Sequence, residues 1–159
     1  MNKIITANQA KKISQDLKNH GKKLVLCGGI FDILHIGHIR FLQKAKRQKD
    51  VLLVLLESDS RAKKEKGNTR PINPQAERAE ILASLIFVDY VIMLEDNFKD
   101  YDGLIAIIKP DVIAVTSQST TLIHAKRQGE KVGAKVIEVI PRIKNKSTTK
   151  IADIVSKSF

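Results

Sequence analysis

Short runs rich in Val, Ile and Leu recur along the chain at residues 24–27, 51–56, 90–94, 112–115 and 135–140. The run over 51–56 reads Val-Leu-Leu-Val-Leu-Leu, with no polar residue to mark a solvent-facing side. A strand covered on one side only alternates apolar and polar residues. A strand without alternation is buried on both sides, as in a parallel sheet with helices above and below. The segments between these runs carry apolar residues at helical spacing. Thr6-Ala7-Asn8-Gln9 forms a capping box, Ala7, Ala10, Ile13 and Leu17 follow on one face, and Gly21 ends that helix. Further helices are expected over 36–46, 101–108, 122–131 and 148–157. Another opens at Asn73-Pro74, with Asn as cap, Pro at the first helical position and Ile81, Leu82 and Leu85 as its apolar face. Residues 57–73 are polar, contain Gly67 and Pro71, and read as a long loop. Strands alternating with helices make an α/β fold with a five-stranded parallel sheet.

At 159 residues the chain is expected to be one domain over 1–159, with an N-terminal helix in 1–20 and an α/β core over 22–157. Its apolar runs are far shorter than the ~20 residues that cross a bilayer. The opening Met1–Ile5 turns polar at once, so a secretory leader and a membrane partner are not expected and a cytoplasmic location is. A lone cysteine, Cys27, at the end of an apolar run excludes an internal disulfide framework and reads as an inert core thiol. Lys and Arg number 28 against 17 Asp and Glu, a net charge of +11. That excess favours anionic partners. It is spread along the chain rather than gathered in a stripe, so a small phosphorylated substrate accounts for it better than nucleic acid does.

In open parallel sheets ligands bind beyond the carboxyl ends of the strands. Four segments follow strands: Gly28-Gly29, residues 57–73, residues 116–121 and residues 142–149. The first carries the most specific pattern, Gly28-Gly29-Ile30-Phe31-Asp32-Ile33-Leu34-His35-Ile36-Gly37-His38. The glycine pair permits close approach of backbone to ligand. Two histidines three residues apart at a helix start face the same way, where amides and the helix dipole favour an anion. The bland alternative is a glycine turn with two incidental histidines. A zinc site is the poorer rival, for no third ligand lies nearby. His20 and His124 have no partner pattern.

Gly29-Ile30-Phe31-Asp32 with His35-Ile36-Gly37-His38 resembles the HIGH signature of the cytidylyltransferase-like nucleotidyltransferase superfamily. The resemblance implies a Rossmann-like three-layer fold. It also implies transfer of a nucleotidyl group from a nucleoside triphosphate to a small phosphorylated acceptor, with release of pyrophosphate. Lys66-Gly67-Asn68-Thr69-Arg70-Pro71-Ile72-Asn73-Pro74 with Glu77-Arg78 resembles the heptose 1-phosphate adenylyltransferases. Val88-Asp89-Tyr90-Val91, Lys109-Pro110-Asp111-Val112 and Ser147-Thr148-Thr149-Lys150-Ile151 match the same branch in order. On this resemblance His35, His38, Lys66 and Arg78 are the candidate catalytic residues. Gly29, Ile30, Phe31, Gly37, Arg142, Ser147 and Thr148 would bind the nucleotide, and Asp32, Thr116 and Ser117 the second substrate. Mg²⁺ would bridge the phosphates without a dedicated protein cage, and a homodimer is the family's common assembly.

The residues themselves leave alternatives open. Lys64 could take the place of Lys66, Arg78 could snorkel beside its helix's buried face, Asp32 could brace the turn, and Ser147 could be a plain cap. Phe31 and Phe41 fit packing better than base stacking. The adenylyltransferase branch carries a Lys-Gly-Gly-Asp-Tyr-like segment where this chain reads Val115-Thr116-Ser117-Gln118-Ser119-Thr120. Arg142 ahead of Ser147 is closer to the glycerol 3-phosphate cytidylyltransferases, whereas Ile86 stands where those tend to have arginine. ATP with a sugar or polyol phosphate is therefore the leading pair of substrates. CTP with an alcohol phosphate such as glycerol 3-phosphate is the alternative, and a basic nucleic-acid-binding module the lesser one.

Overall fold

The computed structural model describes residues 2–117, 119–141 and 148–157. In chain order the elements are α1 (Ala7–Asn19), β1 (Leu24–Gly29), α2 (Ile36–Lys46), β2 (Val51–Leu56), α3 (Asp59–Lys66), α4 (Gln75–Ala83), β3 (Tyr90–Met93), α5 (Tyr101–Ile108), β4 (Val112–Thr116), α6 (Leu122–Val132), β5 (Lys135–Ile140) and α7 (Thr148–Ser156). The apolar runs form one five-stranded sheet in the order β3-β2-β1-β4-β5, with every pair parallel.

Alternate residues of the central strands feed two separate cores. Val25, Cys27, Leu52, Val54 and Leu56 join Phe41, Leu42 and Ala45 of α2 and Ala79 and Leu82 of α4. Leu24, Leu26, Leu53 and Leu55 join Ala10 of α1, Leu104, Ile105 and Ile108 of α5 and Ala125 of α6. This is the three-layer arrangement that continuous apolar strands require. Burial pushes the Cys27 thiol up to about 12, which keeps it protonated and inert. Among the described residues no helix is long and apolar enough to cross a membrane.

The amino ends of the strands are pinned by aspartates. Asp111 accepts the Leu24 N–H at 2.8 Å, Asp89 the Leu52 N–H at 2.7 Å and Asp50 the Lys23 N–H at 2.8 Å. The segment ahead of α1 lies beside β3, where Val91 donates to Lys3 and Ile5 donates to Val91, both at 2.9 Å. That covers an otherwise open edge. The capping box of α1 forms as the sequence suggests, with both Thr6–Gln9 hydrogen bonds present.

Three features depart from the sequence reading. Residues 57–73 are not one loop, because α3 occupies their first half. The Ser58 hydroxyl accepts the Arg61 N–H, Asp59 sits in the first turn, and Lys63, Lys64 and Lys66 sit in the last. Cap and charges all suit the helix dipole, but Ala62 is the only buried residue, so no apolar stripe betrays the helix. Second, α4 starts one residue later than expected. Pro74 occupies the cap position without a side-chain cap bond, and the Asn73 amide donates instead to the Asp32 carbonyl at 3.1 Å. Third, the buried face of α4 is Arg78, Ala79 and Leu82, while Ile81 is 40% exposed.

β1 also continues past Cys27, with Gly28 and Gly29 paired to Leu55 and Leu56 of β2. On its other side β1 pairs with β4 only at Val25–Val112 and Leu26–Ile113. Beyond those pairs the two strands part, and the strand order reverses at the same seam. A crevice at such a seam is where parallel sheets bind ligands.

Gly129 lets α6 lie against β5: a Cβ there would stand 2.8 Å from the Ala134 carbonyl oxygen and from Val136. Alanine gains about 1 kcal/mol of helix propensity, but overpacking costs about 1–3 kcal/mol. Gly129→Ala is therefore expected to lower the denaturant midpoint with no change in m-value.

Candidate functional site

A cleft of about 1140 Å³ opens over the carboxyl ends of the strands. That exceeds the ~300–1,000 Å³ of common small-molecule sites and gives room for a nucleotide beside a second substrate. Its walls come from all the strand-following segments that the sequence places on one rim, including Gly28 and Gly29, Glu57, Thr116 and Ser117, and Thr148.

The signature segment leaves β1 through a tight turn. Phe31 adopts a positive φ of 46° and is buried, with its ring set edge-on to His38 at a centroid distance of 5.3 Å. A Cβ on Gly29 would lie 2.9 Å from that ring and would force it to shift. The Asp32 carboxylate is 2% exposed. It accepts Arg70 Nε at 2.5 Å and the backbone N–H groups of Ile72 and Asn73 at 2.8 and 3.0 Å. These bonds tie the signature turn to the segment before α4, and Asp32 also lines the cleft.

Arg78 lies deeper. Its side chain is fully buried and does not line the cleft. Nε donates to Asn73 O at 3.0 Å, Nη1 to the carbonyls of Ile30 and Glu57, and Nη2 to Asp59 at 2.7 Å. A guanidinium so engaged holds the two strand-following segments together and is not presented to a phosphate.

His35 and His38 do line the cleft, with rings stacked at 3.8 Å between centroids and an interplanar angle of 26°. His35 is the N-cap of α2, and its Nδ1 accepts the Gly37 N–H at 3.1 Å. Nδ1 is therefore unprotonated and the ring proton sits on Nε2. Nδ1 of His38 is buried without a hydrogen-bond partner among the described residues. Desolvation, then the neighbouring His35, lowers the His38 pKa to about 4, while the Ile33 backbone and Asp32 act weakly the other way. Desolvation lowers that of His35 as well. At neutral pH the pair is thus two neutral N–H donors.

Thr148, the first residue of α7, is buried and its hydroxyl donates to Ile33 O at 3.1 Å. The start of the C-terminal helix therefore meets the signature segment directly. Arg142 and Ser147 lie outside the described residues. Of the lysines in the last turn of α3, Lys66 lines the cleft, and it is held on a helix rather than in a loop. Ile30, Gly37, Thr116 and Ser117 also line it. Sequence reasoning missed Arg70, Glu57, Arg61, Tyr101 and His124, all of which reach the cleft. Glu57 follows a strand and was discoverable by that rule, whereas Tyr101 read only as a helix start. Among the described residues no three His, Cys, Asp or Glu side chains cluster to hold a metal ion.

Two consequences can be measured. His38 has a folded pKa below its unfolded 6.5, so the unfolded chain binds more protons between those values. The corresponding stability, at most about 3 kcal/mol, is complete above pH 6.5 and is lost as pH falls toward 4. Melting curves should show that slope, and His38→Asn should flatten it. Arg78→Ala leaves three carbonyls without this donor and removes the link to Asp59, and should cost about 3–5 kcal/mol in denaturant unfolding.

The sequence profile described as cytidylyltransferase-like matches residues 26–154. The chain is 44% identical over 144 residues to the bifunctional protein HldE of a Nitratiruptor species, covering 89% of this chain and 29% of that protein. It is 48% identical over 110 residues to the bifunctional protein HldE of Aliarcobacter butzleri, covering 69% and 23%. The chain thus spans less than a third of the length of these relatives. Among solved structures, a lipopolysaccharide core biosynthesis protein from Thermoplasma volcanium superposes with a TM-score of 0.63 at 29% identity, over 80% of this chain and all of that one. The pantoate-beta-alanine ligase of Francisella tularensis shares the fold, with a TM-score of 0.60 at 19% identity, over 97% of this chain and 76% of that one. With most of its length matched, this chain belongs to the cytidylyltransferase-like family.

Proposed function

We propose that residues 1–159 form a single nucleotidyltransferase domain that moves an adenylyl group from ATP to a sugar phosphate and releases pyrophosphate. The observation that carries this reading is the joining of two helix starts on one cleft wall. The N-terminus of α2, with its stacked imidazoles, and the N-terminus of α7 are tied by the Thr148–Ile33 hydrogen bond. Two helix starts with backbone amide and imidazole donors suit a triphosphate. The likeness of residues 66–78 to the heptose 1-phosphate adenylyltransferases, and the HldE relatives, favour ATP and a sugar phosphate over CTP and glycerol 3-phosphate.

The chemistry asks little covalent help of the chain. A phosphate monoester has a second pKa of about 6, so the acceptor is already a nucleophile at neutral pH and needs no general base. One of its oxygens attacks the α-phosphorus in line. A new P–O bond forms there while the bond to the bridging oxygen breaks, and pyrophosphate takes the electron pair. Charge grows on the oxygens around the α- and β-phosphorus. In this reading Nε2–H of His35 and His38 donates to those oxygens, and Lys66 neutralises the leaving phosphates from the end of α3. Gly29, Ile30 and Gly37 let the backbone approach the nucleotide, with Phe31 packed beneath them. Arg142 and Ser147 are proposed nucleotide contacts beside Thr148, and Thr116 and Ser117 substrate contacts beyond β4. Mg²⁺ is proposed to enter with the triphosphate and screen its charge.

Pyrophosphate release from ATP, Mg²⁺ and a panel of sugar 1-phosphates tests the proposal. Absence of both turnover and triphosphate binding would sink it. His35→Asn, which keeps a capping side chain, and His38→Asn are each expected to lower kcat by about 10²–10³, with melting temperatures at pH 7.5 close to that of the parent. Equal loss of stability and activity would mark a structural role instead.

A further inference from the structure

We infer that Glu57 and Tyr101 form a subsite that reads two neighbouring hydroxyls of the acceptor sugar, an assignment that rests on the nucleotidyl-transfer reading above. Glu57 is the first residue after β2, across β1 from the β4 side of the crevice. Its backbone is held at both ends: its N–H donates to Gly29 O and its carbonyl accepts Arg78 Nη1, each at 3.0 Å. The part-buried carboxylate lines the cleft together with Tyr101. The Tyr101 hydroxyl stands 2.9 and 3.1 Å from its two oxygens. One hydroxyl supplies one proton, whereas a carboxylate offers about four lone-pair positions.

Among the described residues no Lys, Arg or His forms an ion pair with Glu57. Arg61, the cation nearest in sequence, turns to Glu65 at 2.6 Å. Burial accordingly raises the pKa of Glu57, and burial together with the carboxylate pushes Tyr101 up to about 12. The Tyr101 hydroxyl thus remains a donor and the acid remains short of donors.

A carboxylate in a cleft that receives phosphates is electrostatically unfavourable, since like charges repel. The cost is offset where neutral donors of the ligand meet the acid away from its phosphate. Two adjacent O–H groups match the two oxygens. α3 runs directly on from this residue and brings Arg61 and Lys66 to the same flank. Cations beside a diol acceptor are the pairing that a sugar phosphate presents. The ribose of the nucleotide offers the same diol, and the experiment separates the two.

Calorimetric titrations compare the parent chain, Glu57→Gln and Tyr101→Phe, with melting temperature as a folding control. The probes are ATP with Mg²⁺, 3′-deoxy-ATP with Mg²⁺, and, in the presence of a non-hydrolysable ATP analogue, heptose 1-phosphate, mannose 1-phosphate and methyl phosphate. Glu57→Gln should weaken the sugar phosphates about tenfold, the effect of one charge-assisted hydrogen bond. ATP and methyl phosphate should be unchanged, and Tyr101→Phe should act in the same direction less strongly. Weakened ATP with lost discrimination against 3′-deoxy-ATP would assign the diol to the ribose and overturn the inference. Unchanged affinities with lower melting temperatures would show a strut between β2 and α5 and overturn it too. Where Glu57→Gln does not fold, Glu57→Asp, which keeps the charge but withdraws it by one methylene, gives the same comparison. A parent chain that binds ATP but no sugar phosphate would remove the sugar-phosphate reading and this inference together. Binding to the parent undiminished in the variants would remove this inference alone.

Discussion

The geometry of the cleft depends on the buried Asp32 carboxylate. A charge taken out of water costs several kcal/mol unless it is fully partnered. Here the partners are Arg70 and the amides of Ile72 and Asn73, which belong to the segment that must be set beside the signature turn. Arg78 repeats the arrangement beneath, with carbonyls from the ends of β1 and β2 as its acceptors. Displacing either segment would strand a buried charge, so desolvation itself holds the rim in register. Charged residues named as site candidates are thereby tied into the framework of the cleft.

The second determinant is the neutrality of the imidazole pair. Rings stacked at 3.8 Å cannot both be cations without strong repulsion, and burial pushes in the same direction. The site therefore waits as two fixed N–H dipoles rather than as two charges. A neutral donor is not tightly solvated and needs no counter-ion before ligand arrives. Its attraction to phosphate strengthens as negative charge develops, which is what differential binding of a transition state requires. In the proposed reading full positive charge comes instead from Lys66, in the last turn of α3.

Much of this was legible residue by residue. The helices over 36–46 and 101–108 and the strands over 51–56 and 135–140 form where periodicity and apolar density place them, because those segments satisfy themselves locally or by burial on both faces. α3 was not legible. Its stability comes from a Ser58 cap and charge placement rather than from an apolar stripe. The strand character of Gly28 and Gly29 was hidden as well, since it comes from pairing with Leu55 and Leu56 rather than from any preference of glycine. Arg78 illustrates the same limit within the site. Its helical position shows that it lies beside a buried face, but not that four acceptors wait there.

By itself the sequence determined the layered fold, the rim at the carboxyl ends of the strands and the imidazole pair at a helix start. These follow from local spacing and from apolar runs that can be buried in only a few ways. Tertiary structure alone decided which polar groups face the cleft and which are spent inside it. Asp32, Arg78, Glu57 and Tyr101 find partners 19 to 48 residues away. A buried polar group is defined by the donors and acceptors that the folded chain brings to it, and no window along the sequence contains both halves of such a pair.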